Sequence, residues 1–418
     1  MRVLVLGAGV VGTTAAYFLT RDGHDVTVIE RQTGAGLETS FANGGIVSAS
    51  TAKPWASPSV PKTLLKHLFR EDAPYLFRLR PDLRQWAWAL RFLSHCRAEP
   101  FARGQRVAIR LGEYSFAQLK TVREAEGFDY DGRAEGMLEL YKTEETLSAA
   151  NAFARRLPDT KYHPQMLDMS SAIEVEPTLE AQREAYAGVL YYPQEETGDA
   201  HKFTKNLAAA TVSHGADFRY GETVTRLIRD GRRITGVKTD KATYEADAVV
   251  LSLGSFGPQF LRKVGVKMPI YPLKGYSVTV PTAGHNGAPT HGIHDIPRRI
   301  VLSRLGDRLR CAGTAELTGF DPTITPGRVN AILDDAMRLF PNAGDASRAE
   351  RWMGFRPMTP DCVPIIGKTV LDGLYLDTGH GSTGWTWSCG SGRLIADIVA
   401  GKEPEIDMAG LEPDRFQR

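Results

Sequence analysis

The chain opens Met1-Arg2-Val3-Leu4-Val5-Leu6-Gly7-Ala8-Gly9-Val10-Val11-Gly12, and the reading of this stretch through Arg31 decides the fold. Arg2 to Leu6 is a short β-branched and aliphatic run, the pattern of a strand buried in a parallel sheet. Apolar residues at helical spacing run from Thr13 to Thr20, and a second strand, Asp25-Val26-Thr27-Val28-Ile29, ends at Glu30. Together they make a βαβ unit with a G-x-G-x-x-G turn. Gly7 permits the tight turn, Gly9 lets backbone approach a pyrophosphate, and Gly12 lets the helix sit close to the strands. The helix N-terminus adds free N–H groups and a positive dipole end. Glu30, 18 residues beyond Gly12, is placed to accept hydrogen bonds from a ribose diol and would repel a 2′-phosphate, which disfavours NADP. The dinucleotide contacts expected here are Val3, Gly7, Gly9, Val10, Val11, Gly12, Glu30 and Arg31. The unit alone does not separate FAD from NAD.

Outward from this unit, 418 residues are enough for two domains with substantial cores, and the 42% hydrophobic, 24% charged composition is that of a soluble globular chain. A net charge of +2 gives no reason to expect nucleic-acid binding. Cys96, Cys311, Cys362 and Cys389 are widely spaced with no Cys/His cluster, so neither a disulfide framework nor a metal site is expected, and the thiols read as reduced and intracellular. No signal segment precedes the first strand and no apolar run reaches membrane-spanning length. The expectation is a cytoplasmic protein, soluble or peripheral on the inner face of the membrane.

After the second strand the loop is rich in Gly, Ser, Thr and Asn, and Ser40, Asn43, Gly44 and Gly45 suit contact with a cofactor's phosphates or ring edge. From Lys62 to Arg110 the composition shifts, with eleven Lys and Arg against four Asp and Glu, and with Phe69, Tyr75, Phe77, Trp86, Trp88 and Phe92 among them. Leu79, Leu83, Trp86, Leu90 and Leu93 recur at three- and four-residue steps, so they are expected to form the inward face of a helix starting near Pro81, leaving Trp88 and Phe92 off it. Such a segment packs on another domain or lies on an anionic membrane surface.

Helices are expected over Val107–Glu126, Glu144–Arg156, Pro326–Leu339 and Ser388–Ala400. Val224-Thr225-Arg226-Leu227-Ile228 turns at Asp230-Gly231 into a returning strand, and a buried strand then ends in Leu253-Gly254-Ser255, a small-residue turn that lets a cofactor come close. Alternation from Met268 to Gly319 suits a sheet with one cavity face. Thr378-Gly379-His380-Gly381-Ser382-Thr383-Gly384 again places glycines before a helix N-terminus.

These pieces resemble the glutathione-reductase-type FAD fold in its D-amino acid oxidase/glycine oxidase branch. Leu37-Glu38-Thr39-Ser40, Pro269-Ile270-Tyr271-Pro272-Leu273-Lys274-Gly275-Tyr276-Ser277, Gly354-Phe355-Arg356-Pro357-Met358-Thr359-Pro360-Asp361 and Thr378-Gly379-His380-Gly381 narrow the resemblance to the bacterial D-amino acid dehydrogenases, FAD-containing small subunit type. The likeness runs over essentially the whole chain. It implies an α/β fold: a Rossmann-like FAD domain assembled from residues 1–55, 190–262 and 350–418, with an interleaved α+β substrate domain of residues 56–189 and 263–349 built on an antiparallel sheet. It implies FAD held by the residues named above with Val224, Gly254, Gly379, Gly381, Ser382, Thr383 and Gly384. It also implies oxidation of D-amino acids, D-alanine prominently, to 2-oxo acids and ammonia, with electrons passed to a quinone or other acceptor. The chain departs from the pattern at Phe41-Ala42-Asn43-Gly44-Gly45-Ile46, where alanine or similar is expected at 41 and 44; that bears on substrate range.

A D-amino acid presents a carboxylate, an amine and a Cα hydrogen. The guanidinium fork of Arg356 suits the carboxylate, the competing reading being a salt bridge to Asp361. Tyr276 and Tyr271 either bind the carboxylate or are core tyrosines. His380 and the N–H groups of Gly381 to Gly384 suit negative charge near flavin N1 and C2=O, or His380 caps the helix. Lys274 is either near the cofactor or solvated, and Cys362 raises covalent flavin attachment. Two alternatives stand beside the dehydrogenase: an oxygen-using glycine or D-amino acid oxidase or a D-hydroxyproline dehydrogenase, and a flavin-binding interaction subunit without turnover.

Overall fold

The computed structural model describes residues 1–50, 53–67, 75–78, 80–156 and 162–416. The opening unit folds as read: β1 (Arg2–Leu6), α1 (Val10–Arg21) and β2 (Asp25–Glu30). β1 lies at the centre of a six-stranded sheet ordered Ile365–Lys368, Leu374–Thr378, Ala248–Leu251, β1, β2, Asp217–Tyr220. All neighbours are parallel except the first pair. Central parallel strands are covered on both faces, which is why they read as continuous apolar runs. On one face Val3, Val5, Val28 and Val250 pack with α1, Ala98–Glu126, Ala200–Ser213 and Gly384–Val399. On the other, Leu4, Leu6 and Leu251 meet the three-stranded sheet Val224–Asp230, Arg233–Thr239 and Thr243–Glu245.

The second large sheet has nine strands. Its order is Glu350–Met358, Tyr271–Pro281, Arg308–Leu317, Ile300–Leu305, Gly292–Asp295, Met137–Tyr141, Gly188–Tyr192 and Gln165–Asp168, with Tyr75–Phe77 added beside Arg308–Leu317. It is antiparallel apart from two pairs, Gly292–Asp295 with Met137–Tyr141 and Tyr75–Phe77 with Arg308–Leu317. The expected boundaries at 190 and 350 fall in strands of this sheet. Glu350–Met358 and Gly188–Tyr192 are strands of this second sheet, because their backbone ladders run to Tyr271–Pro281 and Met137–Tyr141.

Two helices start earlier than expected, the long one at Ala98 and the last at Gly384. The last helix is buried between α1 and Ala98–Glu126. A Cβ at Gly390 would sit 2.7 Å from Ser115, and one at Gly392 would sit 2.7 Å from the Thr14 carbonyl carbon. The glycines that weaken its propensity are what let three helices touch.

The helix Leu83–His95 corrects the sequence reading most sharply. Its expected inward stripe faces outward: Leu83 is 86% exposed, Leu90 67%, Trp86 42% and Leu93 42%, whereas Trp88 is 7% exposed. Leu79 and Phe69 lie outside the described residues. The inward face is Gln85, Trp88 and Phe92. Gln85 Nε2 donates to the carbonyls of Arg78 and Leu317, and Trp88 Nε1 donates to the Met358 carbonyl at 2.8 Å. Buried carbonyls need donors, and Gln85 and Trp88 on this face supply them, while Trp86 Nε1 on the outward face reaches the exposed Arg80 carbonyl.

Candidate active site

Two adjoining cavities lie where the sheets meet. The first, about 260 Å³, is lined by Gly7, Gly9, Val10, Val11, Glu30, Arg31, Ser40, Val224, Gly254, Gly379, His380, Gly381 and Gly384, all expected cofactor or site residues, together with Ser252, Phe256 and Asp377. The second, about 490 Å³, shares Val10, Thr39, Ser40, Gly381 and Gly384 with it. It adds Asn43, Gly44, Gly45, Tyr276, Ser382, Thr383 and Arg356 from the expected set. Three remote parts of the chain thus converge on one elongated space.

The first cavity suits a dinucleotide on its own chemistry. Gly7 adopts φ +97°, a left-handed turn that side chains avoid. Glu30 is buried, with its oxygens accepting from Ala8 N at 2.7 Å and Gln32 N at 2.8 Å, which leaves lone pairs on both oxygens for a diol. Burial pushes its carboxyl pKa up. The Arg31 guanidinium pairs with Glu38 at 2.6 Å and lies 4.0 Å over the Phe256 ring. Ser40 Oγ accepts from Val10 N at the start of α1. Among the described residues Ser252 Oγ, Thr378 Oγ1 and His380 Nε2 are buried without a hydrogen-bond partner. Orphaned buried polar atoms around a glycine cradle are what a polyhydroxylated, phosphorylated ligand would satisfy. Val3 and Gly12 line neither cavity. Val3 is core in β1, and a Cβ on Gly12 would lie 2.0 Å from the Gly7 carbonyl oxygen.

The helix Gly384–Val399 starts at the junction of the cavities with no side-chain cap on its N-terminus. Its first N–H groups and the dipole suit a flavin carbonyl or a reduced, anionic ring. His380 beside it is neutral, since burial pushes its pKa down to about 3. Burial likewise raises Asp377, 3.5 Å away. His380 therefore offers a hydrogen bond there rather than a positive charge.

Arg356 stands on Glu350–Met358 with its guanidinium across Gly275, where a Cβ would come within 2.3 Å of Cζ. Its Nη1 donates to the Thr314 carbonyl at 2.8 Å, and Cζ lies 5.5 Å from the Trp55 ring. Among the described residues no carboxylate pairs with it; Asp361 is taken by Arg415 at 2.9 Å. Burial pushes its pKa down to about 10, which leaves it cationic at neutral pH. It is thus a charge with open donors in a cavity.

The other expected residues divide. Tyr276 lines the second cavity, but its hydroxyl donates to Glu316 and is 3.1 Å from Thr325 Oγ1. Tyr271 lines neither cavity; its hydroxyl donates to Asp82 at 3.1 Å in a cluster with Trp88. Lys274 is also away from the cofactor space, buried against Glu316 at 3.3 Å with Nζ donating to the Thr323 carbonyl. Cys362 is buried outside both cavities, and burial pushes its thiol up to about 12, against its use as a nucleophile toward flavin.

Sequence reading missed Lys53, Tyr75, His294, Arg299 and Trp352, which line the second cavity from four separate segments. No motif links them. Glycine at 44 also gains a reason: a Cβ there would meet Val301 Cγ2 at 2.6 Å. The loop is clamped to the second sheet through its carbonyls, Ala42 O to Ser277, Asn43 O to Arg310 and Gly44 O to Ser303.

The profile of the FAD dependent oxidoreductase (DAO) family matches residues 2–398. A D-amino acid dehydrogenase of Paramagnetospirillum magneticum is 47% identical to this chain, covering 100% of it and 99% of the relative. Among solved structures, glycine oxidase from Geobacillus kaustophilus is similar at 26% identity and TM-score 0.73, over 99% of both chains. L-proline dehydrogenase from P. horikoshii shares the fold at TM-score 0.76 and 19% identity, over 100% of this chain and 98% of its own.

Proposed function

The chain belongs to the FAD-dependent oxidoreductase family and within it to the D-amino acid dehydrogenases, and from that premise we propose that it oxidises D-alanine and passes the electrons to a membrane quinone. The reaction class is oxidative deamination, in which a D-amino acid and water give a 2-oxo acid and ammonia while two electrons pass to an acceptor. FAD, when bound, supplies the acceptor for the hydride that leaves Cα.

The unpaired Arg356 beside the glycine-rich helix start carries this reading. A bidentate pair to the substrate carboxylate fixes one end of the molecule, and the orientation it imposes on Cα–H is the main catalytic contribution. No carboxylate lines the second cavity among the described residues, so a substrate ammonium meets no counter-ion. The surrounding cations favour the neutral amine from which hydride departs.

Anaerobic D-alanine is expected to bleach the flavin and L-alanine to leave it oxidised. No bleaching by any D-amino acid would overturn the activity. Prompt reoxidation by air with peroxide release would replace the quinone with oxygen. Glu30→Ala is expected to weaken FAD retention about ten-fold, the loss of a charged hydrogen-bond acceptor; full flavin occupancy after dialysis would remove its role at the ribose.

The quinone reading has a surface to match. No described helix is long and apolar enough to cross a membrane. The outward stripe of Leu83, Trp86, Leu90 and Leu93 is flanked by exposed Arg84, Arg91 and Arg97, the pattern of a helix lying on anionic lipid. A Leu90→Glu, Leu93→Glu variant is expected to lose at least about ten-fold in binding to phosphatidylglycerol-containing vesicles, from the apolar area withdrawn. Equal flotation of both proteins would refute the surface.

A further inference from the structure

The turn between Gly292–Asp295 and Ile300–Leu305 carries two adjacent arginines with opposite fates. Arg298 is saturated: it pairs with Asp295 at 2.8 Å and Asp335 at 3.1 Å and donates to the Tyr186 hydroxyl. Arg299 is exposed and makes no ion pair among the described residues; its guanidinium lies 4.6 Å over the Tyr75 ring and it lines the second cavity. Its backbone is left-handed, φ +58°, a conformation costing about 1 kcal/mol for a side chain of this kind. The turn holds it there through Arg299 N to the Asp295 carbonyl at 2.7 Å, with Arg298 anchored on either side.

Tyr75 packs against Trp55 with the rings tilted by 60° and centroids 5.6 Å apart, and Trp55 lies beside Arg356. The cavity wall therefore reads Arg356, Trp55, Tyr75, Arg299, a guanidinium at each end of an aromatic pair. Of the other basic groups of the cavity, His294 meets Glu139 at 3.4 Å, and Lys53 acts on the same carboxylate from beyond ion-pair distance. Glu139, although burial pushes it up, is held down to about 2 by Lys53, His294 and Tyr141. Among the described residues neither Arg356 nor Arg299 makes an ion pair, and one monocarboxylate substrate can satisfy only one of them.

We infer that Arg299 recognises a second carboxylate, on the substrate's side chain, so that D-aspartate and D-glutamate are favoured substrates of this site and D-lysine and D-arginine are rejected. The inference rests on the D-amino acid dehydrogenase reading and on Arg356 holding the α-carboxylate. A charge-assisted pair at the far end adds binding to dicarboxylic substrates alone, while a cationic side chain would meet like charge with no carboxylate lining the cavity among the described residues.

The test uses the purified holoenzyme. Wild type is expected to show at least about ten-fold higher kcat/KM for D-glutamate or D-aspartate than for D-lysine or D-arginine, the discrimination of one charged contact. Glutarate is expected to perturb the flavin spectrum at lower concentration than butyrate. In Arg299→Gln the KM for the acidic substrates and the glutarate Kd should rise about ten-fold more than the corresponding values for D-alanine and butyrate, and Arg299→Lys should recover part of the difference. An unchanged ratio in Arg299→Gln, or basic D-amino acids oxidised as well as acidic ones by wild type, overturns the inference while D-alanine bleaching still supports the activity. Failure of every D-amino acid to bleach the flavin removes the activity itself.

Discussion

Arg356→Met is expected to lower kcat/KM for D-alanine by about a hundred- to a thousand-fold with flavin content unchanged. The magnitude is that of removing one partner from a desolvated, bidentate charge pair, about 3–4 kcal/mol, converted at 1.4 kcal/mol per factor of ten. Both kcat and KM should move, because the carboxylate anchor also aims Cα–H. Stability should hardly change. No carboxylate is left stranded by the substitution, since Asp361 is already paired with Arg415, and only the Thr314 carbonyl loses a donor, about 1 kcal/mol. Steady-state kinetics with flavin absorbance and a melting curve check all three parts. Unchanged D-alanine kinetics would remove Arg356 from the substrate site. Arg356→Lys, which keeps the charge and loses the fork, is expected to fall between the two.

Gly12→Ala is expected to destabilise the fold by about 3 kcal/mol or more and to release the flavin. The added methyl would lie 2.0 Å from the Gly7 carbonyl oxygen and 3.2 Å from Ser252 Cβ, so α1 must move off β1. Overpacking against backbone cannot relax by a rotamer change and sits at the upper end of such costs. The shift would also withdraw the start of α1, where Val10 N is engaged by Ser40, from the nucleotide. A protein purified yellow with an unchanged melting temperature would show that the contact gives way without consequence.

Much of the cofactor space was legible because its determinants are local. A turn that needs φ +97° at Gly7, a close approach at Gly12 and an acid at the end of β2 are fixed by neighbours in the chain. The uncapped helix start after Thr383 likewise follows from glycines next to it in sequence. Of the side chains lining the second cavity, Arg356 and Tyr276 were legible in sequence motifs, whereas Lys53, Tyr75, His294, Arg299 and Trp352 were not. Tyr271 and Tyr276 sit on one strand in one motif, yet Tyr276 lines the cavity and Tyr271 meets Asp82 outside it. What separates them is strand alternation. They lie five positions apart on a strand whose pairing with Glu350–Met358 runs without a shift, so they project from opposite faces, and only the tertiary structure set which face borders the cavity. Lys274 was equally undecidable, because its partner Glu316 is 42 residues away on the adjoining strand.

The chain's order alone determined the βαβ unit, the acid at Glu30, the glycine-rich helix start and the arginine in its motif, since each depends on backbone conformation or residue chemistry within a few positions. Only the tertiary structure decided which way the helix Leu83–His95 faces. Apolar periodicity pointed Leu83, Trp86, Leu90 and Leu93 inward, but the carbonyls of Arg78, Leu317 and Met358 had to be satisfied, and Gln85 and Trp88 carry the donors. An unmet buried carbonyl costs about as much as an exposed leucine, and here several were at stake together. The same holds for the pairing of Arg299 with Tyr75, two residues brought together by a sheet and by nothing nearer in the sequence.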